Sequence, residues 1–150
     1  MTERVDFYVL KTATETERWR LACRLAEKAY LIDLRVLVLS ETLADAKAID
    51  DLLWTFDERS FVPHRLRRED SAAAAAAPVE ILADAAGAPP ADLLVNLANR
   101  PPGELERFAR IAEIVDADQE RRRLGRERFK FYRDLKIPLE THQLDATMSI

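Results

Sequence analysis

The residues best suited to binding chemistry lie in one stretch, Arg121 to Lys136, which reads RRRLGRERFKFYRDLK. It holds eight Lys/Arg against Glu127 and Asp134, in a chain whose formal net charge is −4. The sign of charge therefore reverses locally. On a helix at ~100° per residue, Leu124, Phe131 and Leu135 share one face, the expected core stripe. Arg122, Arg126, Phe129, Lys130 and Arg133 share the other. An aromatic ring among outward cations suits a partner that is both acidic and apolar. A guanidinium grips a carboxylate through two parallel N–H bonds, and a ring walls a pocket for an apolar group. The competing reading is a solvated charged face with Phe129 half-covered by a neighbouring loop.

Other chemistry finds little support. The chain has three Gly, at positions 87, 103 and 125. None follows the first expected strand, where a dinucleotide fingerprint sits. There is no phosphate-cradling G-x-x-x-x-G-K-[ST] and no G-x-S-x-G elbow. His64 and His142 are far apart and outside any metal-binding frame, and Cys23 is alone. Glu113 and Asp116 lack a third ligand in frame. Asp50 and Asp51 read as a solvated face, and Asn96 as a residue bonded to nearby backbone. No catalytic residue, metal or cofactor is expected.

A second unusual segment is Leu53-Trp54-Thr55-Phe56 followed by Ser60-Phe61-Val62-Pro63-His64. It sets aromatics across a helix end and a Pro-stiffened turn. Such clusters are either core edge or protein interface, where Trp and Phe are enriched.

These segments need a scaffold. The 150 residues are 48% hydrophobic and 33% charged, which suits one globular domain spanning 1–150. No apolar run approaches the ~20 residues of a membrane span, and MTERVDFYVL lacks a signal-peptide layout, so a cytoplasmic location is expected. The mild acidity disfavours broad nucleic-acid coating.

Residues 6–11 and 35–40 read as buried strands, and 14–31 and 43–56 as helices, the first capped by Thr14 with Glu17 as capping-box partner. Further strands are expected over 79–82, 93–97 and 111–115, with a short helix over 104–109 and a final basic helix from Asp118. RFARIAEIV also fits a helical continuation. The expected fold class is α/β: a mostly parallel sheet with helices on both faces, similar to mononucleotide-binding folds but without a phosphate loop. Residues 68–78, with their Ala run, and 84–91 are expected surface loops. Residues 138–150 are an expected loosely held tail.

LLWTFDERSFVPH, PVEIL, ADLLVNLA and GRERFKFYRD follow one another in that order, after DFYVL and a helix ending in LAEKAY. Together they resemble the chi subunit of bacterial DNA polymerase III, from about Asp6 to His142. The resemblance implies an adaptor rather than an enzyme. It implies two partners: the acidic C-terminal tail of single-stranded DNA-binding protein, and the psi subunit, which leads to the clamp loader. DNA is then met only indirectly, and no membrane is involved. By the family's motif, Arg126, Phe129, Lys130 and Arg133 take the tail site, with Arg122 one turn earlier and Trp54 as a neighbour. Arg126 is the choice for the tail's terminal carboxylate. Phe61 and Val62 are assigned to the psi-type interface. Phe129 stands where Tyr is common in the family, and DLKIPLE lacks the Gly usual after the helix. The alternatives are direct binding of single-stranded DNA by stacking and charge, and a nucleotide-dependent enzyme.

Overall fold

The computed structural model describes residues 2–67, 77–86 and 88–144; the expected loop over 68–78 lies mostly outside them. Seven strands form one sheet in the order β3-β4-β2-β5-β6-β1-β7. They are β1 (Arg4–Leu10), β2 (Val36–Leu39), β3 (His64–Leu66), β4 (Val79–Leu82), β5 (Ala91–Asn96), β6 (Phe108–Val115) and β7 (Leu139–Leu144). Every pairing is parallel. The central strands are buried on both faces, which explains their near-continuous apolar sequence.

Three α-helices are found among the described residues: α1 (Glu15–Leu31), α2 (Leu43–Thr55) and α3 (Gln119–Asp134). α1 and α2 cover one face, packing Leu21, Leu25, Ala46, Ile49 and Leu53 against Val36, Val38 and Ile81. α3 covers part of the other, where Tyr132 meets Val5, Phe7, Ile111 and Val115. The α/β class and the placement of helices on both faces hold, and the sheet is wholly parallel.

Several expectations change. Thr14 is the N-cap of α1 but makes no side-chain cap bond, whereas Thr42 and Asp118 cap α2 and α3 by accepting from Asp45 N and Arg121 N. FARIAEIV is strand, preceded by one 3₁₀ turn at Leu105–Arg107. Within the expected loop over 84–91, Ala88 is buried and Ala91 belongs to β5. The expected loose tail begins with a strand instead. β7 pairs with β1, and His142 stacks on Tyr8 with ring centroids 4.8 Å apart. His142 Nε2 also lies 3.0 Å from Asp6 Oδ1. β1 supplies hydrogen bonds that a mostly polar sequence such as LETHQL does not advertise.

The expected core stripe of α3 is corrected too. Phe131 and Leu135 are exposed, at 42% and 50%, and Leu124 is only partly buried. The buried positions are Gly125, Arg128 and Tyr132. A Cβ on Gly125 would lie 2.8 Å from Val115 Cγ2, so the missing side chain lets the helix settle onto β6. The inner face of α3 is built from a glycine, an arginine and a tyrosine, which an apolar-stripe search passes over.

Candidate peptide-binding groove

The anchor of α3 is a buried polar cluster. Glu113, fully buried on β6, accepts from Arg128 Nε at 2.8 Å, Tyr132 Oη at 2.6 Å and Asn96 Nδ2 at 2.9 Å. Arg128 also donates to Asn99 O at 3.2 Å. A buried carboxylate is tolerable when paired and hydrogen-bonded in this way. Burial, and then the Glu113 charge, push the Tyr132 phenol well above its ordinary value, so it remains a donor. At the start of the helix, Arg121 grips buried Asp116 through two bonds of 2.8 and 2.6 Å. Burial pushes the Asp116 carboxyl up, but the Arg121 bonds and charge outweigh this and hold it below the usual range. Glu113, Asp116 and Asn96 are thus all engaged in bonds that hold α3 and the sheet together.

Between α3 and the sheet runs an apolar groove of about 200 Å³. Its floor is Phe7 and Val9 of β1, flanked by Val115 of β6 and Thr141 of β7. The registers Phe7↔Thr141 and Val9↔Val115 place these side chains level with one another. Arg122, Arg126 and Phe129 of α3 form the wall, with Gly125 between them. Phe129 rests edge-on against Phe7, with ring centroids 5.3 Å apart.

The charges of α3 are unequal. Arg121 and Arg128 are consumed by buried carboxylates, and Arg123 pairs with Glu120 and Glu127. Arg122 is tied to Asp116 O at 3.0 Å and Leu10 O at 3.4 Å. Arg133 touches Asp134. Arg126 and Lys130 are exposed and have no hydrogen-bond or ion-pair partner among the described residues. Arg126 is the free cation that also lines the groove.

The structure therefore gathers Arg122, Arg126 and Phe129 at one concavity and leaves Lys130 and Arg133 on exposed helix surface beyond its lining. Trp54 is not their neighbour. It sits near the end of α2, across the sheet from α3, with its ring centroid 5.7 Å from that of Phe61 and 4.2 Å from that of His64. His64 is buried between the carbonyls of Val62 and Asp50. Phe61 is 69% exposed, but Val62, expected at the same interface, is fully buried in the core beneath α2. Val62 therefore supports the surface from below and offers none of it.

The groove floor was not expected from sequence. One signal for it existed: Gly125 inside a helix costs about 1 kcal/mol against Ala and usually has a packing reason. Phe7, Val9 and Thr141 carry no such mark, because only strand pairing brings them to the helix.

Residues 1–140 match the family described as DNA polymerase III chi subunit, HolC. A Pseudomonas aeruginosa protein named DNA polymerase III subunit chi is 40% identical over 141 residues, covering 94% of this chain and 96% of that protein. An Escherichia coli protein of the same name is 29% identical over 140 residues, covering 90% of this chain and 94% of the other. One from Haemophilus influenzae is 35% identical over 81 residues, covering 54% of this chain and 55% of its own length. Among the described residues, no helix is long and apolar enough to cross a membrane. With a groove on α3 built from the very motif that carries the resemblance, and a match running through nearly its whole length, the chain belongs to the DNA polymerase III chi subunit family.

Proposed function

We propose that the chain is a non-catalytic replication adaptor, which holds the acidic C-terminal tail of single-stranded DNA-binding protein in the α3 groove and reaches the clamp loader through psi. The observation that carries this reading is Arg126, a guanidinium without a partner among the described residues, beside Phe129 on the α3 wall of an apolar groove. That pairing suits a peptide end, with the terminal carboxylate on Arg126 and the apolar side chain against Phe7, Val115 and Phe129. Lys130 and Arg133 meet the acidic residues further along the tail as screened charges. A charged hydrogen bond nets about 1.5–3 kcal/mol, and burial of one aromatic side chain about 1.5–3 kcal/mol. Against the cost of ordering a flexible tail, affinity settles on the order of micromolar.

Phe61 and the exposed flank of Trp54 are assigned to psi. They lie by α2, so tail and psi occupy opposite sides of the sheet and both bind at once. The test is calorimetric titration of the intact protein with a synthetic tail peptide. Arg126→Ala weakens binding about 10-fold or more, a loss of about 1.4 kcal/mol, and leaves the melting temperature unchanged. Equal binding by variant and wild type removes Arg126 as the anchor. Tight oligonucleotide binding at physiological salt without measurable peptide binding replaces the adaptor reading with direct DNA binding.

A further inference from the structure

At the β3 end of the sheet, three arginines converge on one carboxylate. Val79 and Ile81 of β4 and Leu66 of β3 pack into the core beneath α1 and α2. Side chains alternate along a strand, so Glu80 and Arg65 belong to the opposite face. Glu80 is fully buried there. It accepts from Arg35 Nη2 at 2.6 Å, Arg65 Nε at 2.7 Å and Arg67 Nη1 at 3.3 Å. One guanidinium would pair a buried carboxylate. Three leave positive charge in excess.

The donors also outrun the acceptors. Both oxygens of Glu80 already carry bonds. Among the described residues, Arg35 Nε and Arg65 Nη2 are buried without a hydrogen-bond partner. A buried donor left unpaired is costly. Asp92, exposed on β5, accepts from the Arg35 backbone N–H at 2.8 Å and, among the described residues, from no guanidinium. The cluster still reaches solvent: the side chains of Arg35 and Arg65 are 26% and 24% exposed.

From this we infer that the Arg35, Arg65 and Arg67 cluster is a binding site for a phosphate monoester group. Three guanidinium groups less one carboxylate leave two positive charges. A phosphate monoester carries a charge of about −1.5 to −2 near pH 7 and three strong acceptor oxygens. Planar guanidinium forks meet such oxygens in pairs. A phosphodiester or a carboxylate carries one charge and leaves the other uncompensated. The group belongs either to inorganic phosphate or to a nucleotide. The site is independent of the tail-binding reading. It shares no residue with the α3 groove, and β2 and β5 lie between β4 and β6.

The experiment titrates the full chain at constant ionic strength with inorganic phosphate, with adenosine monophosphate, and with an oligothymidylate lacking terminal phosphates, followed by NMR. Inorganic phosphate at millimolar concentration is expected to move the Nε–H signals of Arg35 and Arg65 and the backbone amides of Arg65, Arg67 and Glu80 first. It should also raise the melting temperature above that in chloride. Arg67 makes the longest bonds to Glu80, so Arg67→Gln should keep the fold and bind phosphate about 10-fold more weakly. Arg65→Lys retains the charge but loses the fork, and should bind about 3-fold more weakly. If adenosine monophosphate matches inorganic phosphate, the site reads the phosphate group alone; if it binds 10-fold more tightly, the ligand is a nucleotide. Equal phosphate affinity in both variants and wild type overturns the inference. So does the absence of any shift at the cluster, or oligothymidylate binding there more tightly than inorganic phosphate.

Discussion

Two phenylalanines, Phe129 and Phe61, sit on opposite sides of one sheet and behave differently. Phe129 is half-buried, its ring fixed against Phe7, in a concavity with a free guanidinium beside it. Phe61 projects outward, with Trp54 tilted alongside and 51% exposed. The first ring is held before any partner arrives, so little ordering remains to be done on binding. It can shape a small pocket, and charge decides what enters. The second ring contributes little to the fold. Its unclaimed area suits a broad apolar interface, in which such residues are the usual anchors. The aromatic alone does not tell these uses apart. The floor beneath it and the charges around it do.

The largest effect should come from the support under the first region. Glu113→Ala leaves Arg128 buried without its carboxylate, a loss of about 3–5 kcal/mol, or roughly 10 °C in melting temperature for a domain of this size. The α3 groove then loses tail binding, while psi binding by any chain still folded is retained. Thermal melts with paired titrations check this, and a stable Glu113→Ala chain that binds tail normally breaks the link between cluster and groove.

Next in size is Phe129→Ala, which removes about 1.5–3 kcal/mol of apolar burial and so weakens tail binding about 10-fold or more. The loss persists from low to high salt, because apolar contact is not screened, whereas the Arg126→Ala loss shrinks as salt rises. Phe129→Tyr retains binding if the ring is what matters. A salt series on the three variants separates the two contributions.

Phe61→Ala sharpens the contrast from the other side. An exposed substitution changes stability by about 0.5 kcal/mol or less. Psi binding falls about 10-fold or more, an effect of hot-spot size, and tail binding is untouched. A folded Phe61→Ala chain that loses tail and keeps psi reverses the assignment of the two faces.

The smallest effect is an acid one. Asp6 and Asp116 both titrate below their ordinary value of 3.8. For Asp6, burial pushes upward, but bonds from His142 and Arg110 and the charge of Arg4 outweigh it. A carboxyl depressed in the folded state contributes stability that is fully present above 3.8 and is lost as pH falls through the lower folded value. Asp116 holds the start of α3 and Asp6 holds β7. Hydrogen exchange near pH 3 should therefore loosen the groove side before the end of α2.

The sequence by itself determined the strands of the sheet centre, all three helices and the aromatic-basic character of α3. These follow from local patterns: continuous apolar runs, helical spacing and a local reversal of charge. It also placed Arg126 and Phe129 together, because residues three apart share a helix face. It did not determine which face of α3 turns inward. That was decided by Gly125 against Val115 and by Arg128 and Tyr132 on Glu113, partners in a different strand. Nor could periodicity show which cations stay free, since Arg121, Arg122 and Arg128 are claimed by groups elsewhere in the fold. Trp54 was grouped with the wrong neighbours because sequence order does not say which side of a sheet a helix covers. β7 escaped notice for the same reason: Asp6 and His142 stand 136 residues apart in the chain. Local chemistry is written in neighbouring residues. A groove is a contact among strands and a helix, and exists only once the parallel sheet brings β1, β6 and β7 beneath α3.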